Sequence, residues 1–315
     1  MQHDLDGAHA VAAQQNDLGA PNVLLRRIAI SDQRAQTLMI NRRSGEQYSC
    51  AHAPDSHAHL KRESQPDSYV NTRRLSMANS APPSLGILTL ECGLPPDQWE
   101  WVHLPNSVFN QATFEFPIIS EIVPGAWPDR VIPGDPHLEP HYITAAKRLI
   151  QRGAVAITGD CGFTIRYQTA IAASVRVPVA MSSLLLVPML LRQLPPATKL
   201  AVVTADSAHC GEDLLGINGE IDRARIVVGG IEGGTLWQNE MKRPSQPTSV
   251  AEIEADVAAC VARLRAANPD VAAILFECTM FPTVAPAIRS MTGLPVYDTA
   301  TLYRMTFASV GERKT

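Results

Sequence analysis

Two stretches decide the fold: residues 154–164, AVAITGDCGFT, and residues 272–281, AAILFECTMF. Each is an apolar run that ends in an acid and a cysteine. The flanks match as well. AAKRLIQRG (145–153) precedes the first and VARLRAANPD (261–270) the second; VRVPVAMSS (175–183) follows the first and TGLPVYDTA (292–300) the second. Cys278 lies 117 positions beyond Cys161 (278 − 161), and Pro295 lies 117 beyond Pro178 (295 − 178). One unit of helix, strand, cysteine, helix and Pro-Val strand therefore occurs twice in equal register.

Working outward, short apolar runs alternate with amphipathic segments from Ser84 onward. The runs LGILTLE, AVAITGD, VPVAMS, KLAVVTAD, RIVVGGI, VAAILFE and LPVYDT read as buried strands. Helical periodicity covers 138–152, 165–173, 184–193, 250–267 and 284–292. Continuous apolar strands separated by helices indicate parallel sheets covered on both faces, an α/β architecture. The duplication predicts two similar lobes related by a pseudo-twofold axis, with 83–200 mainly in the first and 201–315 mainly in the second. Terminal segments exchanged between the lobes are compatible with this division.

Residues 1–82 differ, being rich in Gln, Ser, His, Asn and Arg without a sustained period. They are expected to form a disordered extension, or to be upstream sequence before a start at Met77. Asp4 and Asp6 come early and no apolar segment follows, so no secretory signal is expected.

The 315-residue chain is long enough for two cores. It is 45% hydrophobic and 18% charged, with a formal net charge of −4. No basic face is expected for nucleic acid or an anionic membrane, and no run reaches the roughly 20 apolar residues of a membrane helix. Six irregularly spaced cysteines do not form a disulfide framework, which favours free thiols in a cytoplasmic setting. A homo-oligomer is left open.

The site is expected where parallel strands end and helices begin, in a cleft between the lobes. Cys161 and Cys278 both fall at such ends. A helix N-terminus would favour the thiolate, a base and a nucleophile. Two bases facing one another suit a carbon acid, one removing a proton from one face and the other returning a proton to the opposite face. Cys50, Cys92, Cys210 and Cys260 lack matched partners and read as small core residues. Asp160 and Glu277 precede the thiols and are expected to point away from them, in capping or lobe contact. Ser182, Ser183 and Thr204 end neighbouring strands, where helix capping and substrate binding are both open. His137 and His141 lack a third ligand, so no metal is expected.

ITGDCGFTIRYQ and LFECTMFPTVAPAIRSMTGLPVYD resemble the two signature regions of the aspartate/glutamate/hydantoin racemase superfamily, and the likeness covers about 84–310. The resemblance implies two flavodoxin-like lobes and a cofactor-independent enzyme with Cys161 and Cys278 as its proton-transfer pair. It implies that Gly162 and Thr279 supply backbone N–H groups, and Thr279 a hydroxyl, to a substrate carboxylate. Glutamate racemases carry Asn-Thr and Thr-His after their cysteines; here Gly162-Phe163 and Thr279-Met280 stand instead. ITGDCGF and ECT…P resemble the algal-type dimethylsulfoniopropionate lyases of the superfamily at least as much. No lysine is set for pyridoxal phosphate and no phosphate-binding fingerprint occurs, so no cofactor is expected.

The leading expectation is a racemase or isomerase of a small carboxylic acid, an amino acid or a relative. The alternative is a lyase, in which proton abstraction by a cysteine expels a β-substituent or accompanies decarboxylation. A non-catalytic protein that clasps a small anion ranks third.

Overall fold

The computed structural model describes residues 82–310, together with the backbone of three short strands nearer the N-terminus. Those strands, β1 (Val23–Arg27), β2 (Thr37–Asn41) and β3 (Gln47–Ser49), pair antiparallel in the order β1-β2-β3. The expectation for 1–82 otherwise lies outside the described residues, as does Cys50.

Residues 82–310 form two four-stranded parallel sheets with helices between the strands. In chain order the first sheet takes β4 (Ser84–Thr89), β5 (Ile118–Ile122), β6 (Ala154–Gly159) and β7 (Val179–Ala180). The second takes β8 (Lys199–Thr204), β9 (Ile226–Gly230), β10 (Val271–Phe276) and β11 (Val296–Tyr297). Their spatial orders, β5-β4-β6-β7 and β9-β8-β10-β11, are the same 2-1-3-4 arrangement. Each sheet thus reverses direction of winding between its first and third strands, where open α/β sheets leave a crevice.

The helices are α1 (Pro128–Val131), α2 (Glu139–Gln151), α3 (Gln168–Ser174), α4 (Val187–Gln193), α5 (Glu220–Arg223), α6 (Thr235–Glu240), α7 (Val250–Ala267), α8 (Ala285–Thr292) and α9 (Thr299–Ala308). Local chemistry sets several of their ends. Ser249 and Glu252 form a reciprocal capping box that starts α7, and Gly293, at φ 68°, ends α8 in the left-handed conformation. Helix α2 buries Tyr142, Ala145, Ala146 and Leu149, the i, i+3, i+4, i+7 stripe of an amphipathic helix.

The 117-residue repeat is visible in the structure. Shifting β6 and β7 by that amount gives the bounds of β10 and β11, and the two third strands share one burial pattern, with only their second residues half-exposed. Strand β4 is buried throughout, as expected for a strand covered on both faces. Strand β5 and helix α9 escape the sequence pattern: β5 is a half-buried edge strand of IISEI, and α9 begins directly after the Pro-Val strand.

The lobes are interlocked. The segment Ser183–Gln193 leaves the first sheet to pack against β8 and β10, while α9 returns from the second sheet onto β6 and β7. Leu184, Leu186, Val187 and Leu190 accordingly share a core with Leu200, Val202 and Leu275. Burying each such side chain contributes roughly 1.5–3 kcal/mol, so the exchange couples the two strand ends that carry the cysteines.

Candidate active site

Matched hydrogen bonds build the two cysteine turns. Backbone N–H groups of Asp160 and Glu277 donate to Leu88 and Val203 at 3.0 and 2.9 Å, extending each third strand by one residue along the first. The carboxylate of Asp160 then accepts the N–H of Leu90 at 3.0 and 2.9 Å, and that of Glu277 accepts the N–H of Ala205 at 3.3 Å. Leu90 and Ala205 are the residues just past β4 and β8. Each acid therefore ties together the ends of the first and third strands of its own sheet, where the strand order reverses.

Hydroxyls from the exchanged segments hold the strand ends from behind. Tyr303 Oη on α9 donates to the Gly159 carbonyl at 2.9 Å, and Ser183 Oγ donates to the Phe276 carbonyl at 2.7 Å. Gly159 and Phe276 each stand two residues before a cysteine. After the cysteines the chain turns at once: the Cys161 carbonyl accepts from Thr164 N at 3.0 Å and the Cys278 carbonyl from Phe281 N at 3.2 Å. These turns leave Cys161 and Cys278 half-buried at the end of an otherwise buried strand.

Both cysteines line one pocket of about 860 Å³ of empty space, open mouth included. Asp160, Glu277 and Thr279 share its wall with Glu91 and Glu240. The aromatic side is formed by Trp99, Trp101, Phe109, Phe163 and Trp237. Trp99 and Trp101 stack at 5.5 Å between ring centroids, and Phe109 meets Trp99 edge-on at 5.8 Å. Among the described residues, no Lys, Arg or His lines the pocket.

The electrostatics correct one expectation. The turns that follow the thiols, Gly162–Tyr167 and Phe281–Val284, run directly into α3 and α8, but their favourable N–H groups are outweighed by burial. Burial pushes both thiols well above their ordinary range. The Glu277 carboxylate adds to the rise for each, and Asp160 and the other cysteine raise Cys161 further. Backbone N–H groups of Phe163 and Met280 act in the opposite sense, toward the thiolates, but more weakly. Desolvation also lifts the carboxyls, Asp160 to about 8 and Glu277 and Glu240 to about 7 each. Asp160 and Glu277 thus do not turn away from the chemistry; their side chains fix the backbone and set the charge beside both thiols.

The remaining predicted site residues separate. Gly162 lies under Glu277, whose carboxyl fills the place a Cβ would take. Thr279 is 5% exposed on the pocket wall, with its hydroxyl donated across the lobes to the Asp160 carbonyl. Thr204, fully buried, donates its hydroxyl to Glu277 at 2.9 Å, so it serves the acid from behind. Ser182 caps the following turn by accepting from Leu184 N at 3.2 Å, and Ser183 is the strand clamp described above. Neither serine lines the pocket. Cys210 and Cys260 are buried as expected; Cys92, also buried, borders the pocket. Among the described residues, no group of three or more His, Cys, Asp or Glu side chains could hold a metal ion. No helix there is long and apolar enough to cross a membrane.

Sequence reasoning missed the aromatic wall and Glu240. Trp101 sits in a 3-10 turn and Trp99 between two such turns, in the connection from β4 to β5, where no period marks a side chain as inward. Their only advance signal was the concentration of tryptophan in a chain that has four.

No family model matches the sequence. The dimethylsulfoniopropionate lyase of Durusdinium sp. clade D is 30% identical over 225 residues, covering 68% of this chain and 71% of that protein. Dimethylsulfoniopropionate lyase 5 of Emiliania huxleyi (strain CCMP1516) is 32% identical over 171 residues, 50% of this chain, and the match spans 34% of the length of that relative. Among solved structures, unliganded arylmalonate decarboxylase aligns with a TM-score of 0.42 at 18% identity, over 73% of this chain and 93% of the other. Glutamate racemase from Francisella tularensis aligns with a TM-score of 0.46 at 13% identity, over 74% and 85%.

Proposed function

The chain belongs to the family of the dimethylsulfoniopropionate lyases, and from that premise we propose that it eliminates a dialkyl sulfide from a β-sulfonium carboxylate such as dimethylsulfoniopropionate. The observation that carries this reading is the composition of the pocket: two thiols, several carboxyls and an aromatic wall, without a basic residue. A methylated sulfonium has no N–H to donate, so hydrogen-bond acceptors alone hold it poorly. It is attracted to aromatic faces, which this wall supplies, and to carboxyls, whose ionisation its charge would in turn favour. A primary ammonium, the cation of an amino acid, would call for more directed acceptors. Elimination is therefore favoured over the racemisation that the duplicated cysteines first suggested, and the relatives favour it too.

One thiolate of the pair takes the α-proton. The C–H electrons form the new C=C bond, the bond from the β-carbon to sulfur breaks, and its electron pair leaves on the sulfide. The products are dimethyl sulfide and acrylate, with the proton on the cysteine and afterwards released to solvent. Racemisation shares the first step and differs only in returning a proton to the carbon.

A high thiol pKa suits this task once substrate is present. A thiolate of high pKa is the stronger base, but in the empty pocket burial and Glu277 keep it protonated. A sulfonium entering beside the carboxylates brings an opposite charge, which favours ionisation of a neighbouring thiol. The base is thereby expected to form chiefly when its substrate is bound.

Purified protein given dimethylsulfoniopropionate should release dimethyl sulfide and acrylate in equal amounts, measured in the headspace and by chromatography. Absence of both products, with deuterium incorporated from deuterated water into an acidic amino acid, would establish the racemase reading instead.

A further inference from the structure

A buried polar atom without a partner calls for an explanation, because a donor removed from water and left unpaired is costly, and one that lines a pocket is a candidate to meet a ligand. Among the described residues, eight buried side-chain nitrogen or oxygen atoms have no hydrogen-bond partner. Three of those residues, Trp237, Ser245 and Glu277, line the two-cysteine pocket. The unpaired atoms of the first two are Nε1 and Oγ. An indole N–H can only donate, and a serine hydroxyl has a proton to give. Ser245 is 1% exposed, so bulk solvent does not reach its side chain.

Their placement is specific. Trp237 lies on α6, and Ser245 follows in the connection from α6 to α7. The N–H of Ser245 donates to the Cys92 carbonyl at 2.9 Å, which ties that connection to the end of β4 in the other lobe. The donor that sequence resemblance assigned to a substrate carboxylate, the Thr279 hydroxyl, is engaged with the Asp160 carbonyl. With no Lys, Arg or His on the wall, an anionic group must rely on neutral donors.

We infer that Ser245 Oγ–H and Trp237 Nε1–H are the side-chain donors for the carboxylate end of the substrate. The inference rests on the proposed lyase reading and adds the polarity of the pocket to it: the anionic end lies beside Ser245 and Trp237, and the cationic end is left to Trp99, Trp101 and Phe109 with the carboxyls of Glu91, Asp160 and Glu277. Ser245 and Trp237 are binding residues that orient the carbon acid toward the thiols.

The test separates the two ends of the ligand. Propionate carries the carboxylate without the sulfonium, and trimethylsulfonium carries the cation without the carboxylate. Binding of each is measured by calorimetry, without turnover, to wild type, Ser245→Ala and Trp237→Phe. The expected result is a loss of about tenfold or more in propionate affinity in each variant, the scale of one hydrogen bond to a charged group, with trimethylsulfonium affinity unchanged. Thermal unfolding of Ser245→Ala should not move to lower temperature, since an unpaired hydroxyl contributes nothing to the fold, whereas a structural role would lower it. Unchanged propionate affinity in both variants would overturn the inference, as would equal losses for the two ligands. Wild-type protein that bound trimethylsulfonium but not propionate would overturn it as well. Failure of the lyase reading shows separately, as absence of dimethyl sulfide from wild type.

Discussion

Glu277 and Gly162 occupy complementary space across the two lobes: the carboxyl of Glu277 sits where any side chain at 162 would begin. Thr204 and Ala205 hold that carboxyl in place, so it cannot swing aside cheaply. Gly162→Ala is therefore expected to destabilise the protein by about 1–3 kcal/mol, the usual cost of overpacking. It should also reduce turnover more than the stability loss explains, because Glu277 must leave its position beside both thiols. Chemical denaturation alongside steady-state kinetics checks this.

Glu277 and Asp160 carry a pH signature. In the folded chain their carboxyls titrate near 7 and near 8, above the ordinary values of 4.5 and 3.8, because burial disfavours the charge. Between those limits the native state holds more protons than the unfolded state, so stability falls as pH rises. The contribution is fully present below about pH 4 and lost through the window up to about 8. Melting temperature should decline from pH 6 to pH 9, and Glu277→Gln should flatten the decline. A wild-type melting temperature that rose over that range would contradict the assignment.

The thiols make a second pH prediction, in the absence of substrate. Both are pushed well above the ordinary cysteine range. Alkylation by a small neutral reagent such as iodoacetamide should keep accelerating up to pH 9 without a plateau. Trimethylsulfonium in the pocket should shift the profile to lower pH. A plateau near neutrality in the empty protein would show an already ionised cysteine.

Much of this was legible in the chain. The repeat of helix, strand, cysteine and Pro-Val strand is local, and its 117-residue register reappears as β6 with β10 and β7 with β11. What could not be read is what depends on where a strand stops. Alternation places Asp160 and Glu277 opposite the thiols, and the ladder does continue through both acids, but the side chains of Asp160 and Glu277 hydrogen-bond to Leu90 and Ala205 just past the neighbouring strands. Acid and cysteine therefore line the same pocket, which period-2 alternation alone does not reveal. An exchange of terminal segments was allowed by the sequence, but which helices take part, α4 and α9, was not legible, because each carries an ordinary apolar stripe that does not name its partner.

That exchange yields a further prediction. Tyr303 and Ser183 clamp the carbonyls two residues before each cysteine. Tyr303→Phe and Ser183→Ala each leave a buried carbonyl short of a donor, at an expected cost of about 1–3 kcal/mol. Both should lower kcat beyond the change in stability, since each loosens one cysteine turn. Equilibrium unfolding and initial rates at saturating substrate read the two effects apart.

The central claim is that two thiols from two sheets act on one carbon acid. Its most direct test is dimethyl sulfide release from dimethylsulfoniopropionate by wild type, Cys161→Ser and Cys278→Ser, each shown by calorimetry to bind trimethylsulfonium. The account predicts losses of roughly 10²–10⁴-fold for removal of the thiol that serves as base, a clear loss for the other, and retained binding in both. Undiminished release from both variants would contradict it.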